Sequence, residues 1–331
     1  SGGEDARLVI TGAATLGGVL NIDGDAYHTA TSGHIFNDAI TWGSSTGMFS
    51  DITGLVSTSG TIALDPIFSA TGIDLEAKTI AQSSTTGDDN LTIGVGTGAA
   101  LYGDAGDDTL TGHSGSDVLI GGDGDDVLMG KGGSDRLIGG DGSDTASYKL
   151  DAGAVSVDLA HYTATDGSSA TDTLIGIENI IGSGFADTLV GDANNNVIQG
   201  GGGADTLTGG AGADTFILTG AGDGGDTITD FDVGEDTVLL QETNALEFGL
   251  VNGAVTSGVN FSSIAGDYDG SNAGTNAQWT ASLPSLIYSE STSKLYYDSN
   301  GLLSGGYTVL ATIDGAGATF THNNIVIDSY P

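Results

Sequence analysis

The chain has 331 residues, with 6 Lys+Arg against 44 Asp+Glu, 58 Gly, 3 Pro and no Cys. A formal net charge of −38 excludes nucleic acid and anionic membranes as partners, because both present phosphates that only basic residues can meet; cations are the expected partners instead. The glycines follow no G-X-Y triplet, no apolar run reaches the roughly 18 residues of a membrane-spanning helix, and without Cys there is neither a disulfide framework nor a thiolate site. An apolar content of 38%, spread over short runs, points to an all-β chain.

Residues 1–82 read as a strand-rich segment. Ser1 to Arg7 lack the basic head and apolar core of a signal peptide. Leu8-Val9-Ile10, Gly18-Val19-Leu20-Asn21-Ile22 and Gly47-Met48-Phe49-Ser50-Asp51-Ile52-Thr53-Gly54-Leu55 resemble the strands that end the parallel β-helices of secreted passenger proteins. Gly43-Ser44-Ser45-Thr46-Gly47 satisfies G-x-S-x-G, but a nucleophile elbow needs a strand before it and a helix after it, and no helical run follows. Residues 84–102 read as degenerate first coils of what comes next, with Asp88 and Asp89 as possible extra ligands.

From residue 103 the chain repeats every nine residues. Residues 103–147 divide into GDAGDDTLT, GHSGSDVLI, GGDGDDVLM, GKGGSDRLI and GGDGSDTAS, and residues 182–217 into GSGFADTLV, GDANNNVIQ, GGGGADTLT and GGAGADTFI. The first position is always Gly: Gly103, Gly112, Gly121, Gly130 and Gly139, then Gly182, Gly191, Gly200 and Gly209. The sixth is Asp108, Asp117, Asp126, Asp135 and Asp144, then Asp187, Asn196, Asp205 and Asp214. The eighth is apolar throughout, from Leu110 to Phe216. That column marks a strand of about three residues with one side chain inward, and the Gly-rich half turns the chain and lets backbones approach closely. Carboxylates at every sixth position would stack in files and repel one another. Ca²⁺ resolves the repulsion better than Mg²⁺, because it accepts six to eight carboxylate and carbonyl oxygens in flexible geometry.

These nonapeptides resemble the repeats-in-toxin (RTX) family, whose G-G-x-G-x-D-apolar pattern Gly121-Gly122-Asp123-Gly124-Asp125-Asp126-Val127-Leu128 reproduces. The resemblance implies a parallel β-roll in which two nonapeptides make one coil, so that turns eighteen residues apart share an ion. Carried onto this chain, it pairs Asp108 with Asp126, Asp126 with Asp144, Asp117 with Asp135, Asp187 with Asp205, and Asn196 with Asp214, and implies about five or more Ca²⁺ ions. Phe185, Asn194 and Asn196 depart from the pattern, so the first turns of the second block are expected to bind most weakly.

Residues 148–181 break the period but contain strands, Val155 to Leu159 and Asp172 to Ile181, and resemble linker coils between RTX blocks. After the second block, Asp226-Thr227-Ile228-Thr229-Asp230-Phe231-Asp232-Val233-Gly234-Glu235-Asp236 resembles the segment that closes many RTX rolls. Residues 239–331 hold further strand patterns around Tyr288, Tyr296, Val309 and Val326. They are read as a cap over the exposed strand edges, and resemble the C-terminal region of type I secretion substrates. The expected division is therefore a β-helix-like segment at 1–82, roll blocks at 83–147 and 182–238 joined by β coils at 148–181, and a β cap with a secretion signal at 239–331.

No catalytic set emerges: His28, His34, His113, His161 and His322 never form H-E-x-x-H, and Asp267-Tyr268-Asp269-Gly270 reads as a turn, with a possible additional cation. The sequence supports a secreted, non-enzymatic, Ca²⁺-dependent β-solenoid with a structural or adhesive role as surface layer, biofilm matrix, adhesin or fibre subunit. Its expected partners are calcium, with self-association or a cell-surface polysaccharide, and no membrane insertion. Two alternatives stay open. One is the C-terminal portion of a larger exoenzyme, such as a polysaccharide lyase, epimerase or protease, with catalysis upstream. The other is a carbohydrate-binding module using Trp42, Trp279, Tyr296 and Tyr297.

Overall fold

The computed structural model describes residues 86–94, 98–219, 225–242, 253–254, 261–264, 285–298, 307–315 and 320–329, together with the backbone of the strands between residues 8 and 83. The Asp267–Gly270 turn, Trp279, His28 and His34 lie outside these residues. The elements among the described residues are strands and two three-residue 3₁₀ turns. Among the described residues no helix is long and apolar enough to cross a membrane. The chain forms two compact units, 1–148 with 162–177, and 149–161 with 178–331. The segment between the repeat blocks is thus divided between them.

In the first unit each eighteen-residue coil places one short strand in each of two sheets. Ala100–Ala105, Val118–Asp123 and Arg136–Asp141 run parallel, with Leu101, Leu119 and Leu137 in one register column. Asn90–Thr92, Thr109–Thr111, Val127–Met129 and Thr145–Ser147 run parallel in the other sheet, with Leu91, Leu110, Leu128 and Ala146 in line. These columns are the core. Each three-residue strand buries its middle side chain, which is why the eighth position of the repeat is apolar. The chain leaves this period after Ser147 and returns through a hairpin: Thr163–Thr165 pairs antiparallel with Thr171–Ile175, which then adds in parallel to Arg136–Asp141 and continues the column with Leu174.

The strands before residue 84 pair in both senses. Leu8–Thr15 is parallel to Ile35–Thr46, as in a β-helix coil, whereas Gly72–Ser83 is antiparallel to both Ile35–Thr46 and Ile62–Ser69. Ser45 lies inside the Ile35–Thr46 strand, opposite Ala14, and not on a strand-to-helix turn.

The second unit repeats the plan. One sheet carries Ser156–Asp158, Thr188–Val190, Thr206–Thr208, Asp226–Ile228 and Tyr307–Ile313, all parallel. The other carries Asn179–Ile181, Val197–Gln199, Thr215–Leu218, Thr237–Glu242 and Ile325–Ser329, also parallel. The C-terminal strands therefore form the last coil of the roll itself. The pairing sense then changes: Lys294–Asp298 lies antiparallel to Tyr307–Ile313, Ser285–Ser289 to Lys294–Asp298, and Gly253–Ala254 to Ile325–Ser329, while Phe261–Ile264 adds in parallel to Ser285–Ser289. Aromatic rings fill this end of the core, with Phe216 and Phe231 centroids 6.1 Å apart, Phe231 and Phe320 5.5 Å, and Tyr288 and Phe320 4.7 Å.

Coil-on-coil stacking leaves no room for side chains on one side of the turns. Gly122 has φ +128°, and a Cβ there would strike the carbonyl group of Asp104 one coil away, with its carbon at 2.8 Å. Gly132 has no such φ, and its Cβ would meet only the Ser168 side chain, at 3.7 Å or more. Gly122→Ala is therefore expected to lower stability by about 1–3 kcal/mol through strain and displaced backbone, and Gly132→Ala to change it by less than about 0.5 kcal/mol. Chemical denaturation of both variants in saturating calcium measures the difference, and equal effects would contradict this packing.

Candidate metal centres

The sixth-position residues form buried files, one carboxylate per coil. Each reaches back with Oδ1 to the amide of the corresponding residue one coil earlier: Asp108 N–H donates to Asp126 (2.8 Å), Asp126 to Asp144 (2.9 Å), and Asp117 to Asp135 (2.8 Å). In the second unit Asp187 donates to Asp205 and Asn196 to Asp214, both at 2.8 Å. Each expected pair of turns is thus joined by a side-chain-to-amide rung. Asp89 N–H extends one file to Asp108 (2.7 Å). Asp88 stands apart, accepting from Asp107 N–H in an exposed row at the fifth position.

The first-position glycines lie under converging oxygens. A Cβ on Gly103 would collide with Asp108 Oδ2 and the Gly121 carbonyl, and one on Gly121 with Asp126 Oδ2 and the Gly139 carbonyl, the latter at 2.7 Å. On Gly112 it would meet the Gly130 carbonyl at 2.7 Å and Asp117 Oδ2 at 3.0 Å. Gly182 and Gly191 face the carbonyls of Gly200 and Gly209, and Gly139 that of Gly176. Gly130, Gly200 and Gly209 each face Oδ2 of the Asp five positions on: Asp135, Asp205 and Asp214. A side chain at any of these positions would fill the space where carboxylate and carbonyl oxygens meet.

Three members of the files escape the nine-residue count. Asp172 accepts from Asp135 N–H at 2.9 Å across 37 positions, Asp226 from Asp205 N–H at 3.1 Å across 21, and Asp236 from Asp214 N–H at 2.9 Å across 22. The signal was present as an Asp-Thr-apolar triplet, Asp172-Thr173-Leu174, Asp226-Thr227-Ile228 and Asp236-Thr237-Val238, which repeats Asp108-Thr109-Leu110. Insertions hid its phase. At the first of these junctions Tyr148 donates to Asp172 Oδ2 (3.1 Å), and the buried Asp166 accepts from Ser168, from Ala170 N–H and from Gly133 N–H.

Burial sets the electrostatics of the files. It pushes Asp126 up from its ordinary 3.8 to about 6, against the lowering effect of the Asp108 N–H, while the nearby charges of Asp108, Asp107 and Asp125 push it further. Burial likewise raises Asp214 to about 6 and Asp172 to about 8, and raises Asp108, Asp187 and Asp236. Asp126 is 0% and Asp108 1% exposed, yet Oδ2 of each accepts no hydrogen bond. A buried carboxylate oxygen without a donor is costly, and a cation is the partner that matches it. Among the described residues no three His, Asp or Glu side chains gather at one point. Each turn offers a single carboxylate, with the remaining ligands to come from backbone carbonyls. Such an all-oxygen set of low side-chain count suits Ca²⁺ and not zinc.

A parallel roll with a buried carboxylate under each repeat turn but that of Asn196 defines a cation-binding β-roll. The family model for the RTX calcium-binding nonapeptide repeat matches in four copies, over residues 100–128, 120–147 and 181–216, so these segments are similar to calcium-binding RTX repeats. The search of curated proteins finds no relative that matches.

The raised Asp values fix the pH response. A carboxyl whose folded value lies above its unfolded value stabilises the metal-free fold below about pH 3.8 and loses that contribution as pH rises through about 6. In excess chelator, β-structure measured by circular dichroism is expected to be greater at pH 4 than at pH 7. Protons compete with the cation for the same oxygens, so the calcium midpoint is expected to rise as pH falls below about 6. A midpoint independent of pH would contradict both.

Proposed function

We propose that this chain is a secreted calcium-dependent β-roll whose folding is driven by extracellular Ca²⁺ and which serves a structural or adhesive role at the cell surface, as a surface-layer, biofilm-matrix, adhesin or fibre subunit. The observation that carries the folding half is the buried, hydrogen-bond-free Oδ2 of Asp108 and Asp126. In this reading the ligands are the sixth-position carboxylates Asp108, Asp117, Asp126, Asp135, Asp144, Asp187, Asp205 and Asp214, with Asn196 in the weakest turn. Carbonyls of the Gly-rich turns complete each set. Calcium supplies the positive charge that the files lack, and the chain holds the oxygens in place through the amide rungs.

The energetics support coupling of binding to folding. Extracellular calcium modules have dissociation constants of roughly 10⁻⁴ to 10⁻³ M, and at ten times that concentration each ion adds about 1.4 kcal/mol. Several such ions equal the whole stability of a typical domain, about 5–15 kcal/mol. A net charge of −38 opposes compaction until it is neutralised. Cytosolic calcium lies well below these constants, so the chain stays open for export and closes outside. The structural role is supported by the outer face of one sheet of the second unit, where Ser156, Thr188 and Thr206, exposed and in register, form a row of short side chains, a surface suited to lateral contact.

After chelator treatment, titration with CaCl₂ followed by far-UV circular dichroism and light scattering is expected to give a cooperative gain of β signal that MgCl₂ does not reproduce, with scattering rising alongside. Full β signal in excess chelator at neutral pH would overturn calcium-driven folding. A gain of β signal without any rise in scattering would overturn self-assembly.

A further inference from the structure

The turns of this chain come in two backbone forms, and they treat the sixth-position side chain differently. In the Gly103–Asp108 and Gly121–Asp126 turns the second residue is left-handed, Asp104 at φ 75° and Gly122 at φ 128°, and so is the fourth, Gly106 at 115° and Gly124 at 133°. Oδ2 of Asp108 and of Asp126 is then buried without a donor. In the Gly112–Asp117 turn neither His113 nor Gly115 is left-handed, and His113 N–H donates to Asp117 Oδ2 at 2.8 Å while Ala99 N–H holds Oδ1 at 2.9 Å. The Gly182–Asp187 turn is closed in the same way: Ser183 N–H donates to Asp187 Oδ2 (2.6 Å), with Ser183 Oγ and Val155 N–H on Oδ1. In the Gly191–Asn196 turn Asp192 N–H donates to Asn196 Oδ1 (2.8 Å), and Asn196 Nδ2 donates to the Glu178 carbonyl (2.7 Å).

The physical cause is the peptide between the first and second residues. Its N–H and C=O point to opposite sides, so a turn that aims the N–H at the carboxylate occupies one lone pair of the oxygen that a cation would take, sets a donor hydrogen in the cation's place and turns its own C=O away. A turn that rotates this peptide, by placing the second residue in the left-handed region, leaves the oxygen open. Lys131, Gly140, Gly201 and Gly210, at φ 71°, 125°, 96° and 103°, give their turns the open backbone.

We infer that the second residue of each turn decides whether that turn takes an ion: the turns ending at Asp108 and Asp126 are calcium sites, and those ending at Asp117, Asp187 and Asn196 are ion-free rungs closed by their own amide. This rests on the reading of the files as calcium ligands. It alters the ion pairing implied by the repeat alone, in which Asp117 and Asp187 stand on the same footing as Asp126. It also extends the expected weakness of the first turns of the second block to the Gly112 turn, whose nonapeptide keeps both its fourth-position Gly and its Asp.

The test is calcium stoichiometry by isothermal titration with CaCl₂ on the full chain, with circular dichroism in saturating calcium to establish folding. Asp126→Asn is expected to lose at least one ion, and Asp117→Asn none. His113→Gly frees the second residue to turn left-handed and is expected to gain an ion. Equal losses in the two Asn variants would overturn the inference alone, whereas a wild-type chain that takes up no calcium would bring down the calcium reading with it. Should Asp126→Asn fail to fold even in saturating calcium, His113→Gly decides: a gained ion supports the inference, and an unchanged stoichiometry overturns it.

Discussion

A hydrogen bond from a backbone amide to a carboxylate one coil later holds the turns of both units in register, and most other features follow from it. To make this bond the carboxylate must lie inside the turn, between stacked backbones, where Asp108, Asp126, Asp187 and Asp205 are all buried. A second carboxylate then lies one coil further along the same file, and charge accumulates where water is scarce. Burial raises the carboxyl pKa accordingly. The rung that builds the fold also builds the electrostatic problem that a cation solves.

Glycine answers to the same constraint. The first position faces the carboxylate and a carbonyl one coil on, so the residue least able to fill space stands where ligand oxygens converge. Leucine in the inward column answers to the opposite need, since the middle side chain of each short strand points into the core, where apolar bulk fills the space between the sheets. Each nonapeptide is therefore half core and half ligand cradle, and neither half is stable without neighbouring coils. The second unit meets its end by changing the pairing sense. Its last parallel coil, Tyr307–Ile313 with Ile325–Ser329, is flanked by the antiparallel strands Lys294–Asp298 and Gly253–Ala254 and packed by Phe231 and Phe320.

The departures from the repeat show what the files require. Asn196 keeps the rung to Asp214 through its backbone amide, but replaces the charge with an amide that bonds Glu178 and Asp192. Asp172 sits 37 positions from its partner, with a whole hairpin between, yet occupies the next rung. The fold thus accommodates spacings of 37, 21 and 22 positions where an Asp-Thr-apolar triplet returns to the edge of the roll.

Much of this was legible in the sequence. A period of nine, with Gly first, Asp sixth and an apolar eighth residue, showed the inward column from Leu110 to Phe216 and the chemistry of the ligands, because a strict period allows each column only one environment, and the resemblance of these nonapeptides to RTX repeats implied the parallel roll. The sequence could not show that Asp172, Asp226 and Asp236 continue the files, or that Tyr307–Ile313 returns across some eighty positions to lie beside Asp226–Ile228. Nor could it show that His113 closes a turn which Lys131 leaves open in backbone form. Those outcomes depend on which amides and carbonyls meet across coils. The repeat determined what each residue type is for, and the tertiary structure decided which residues stand in each place, because hydrogen bonds between coils join groups by proximity in space and are indifferent to their separation along the chain.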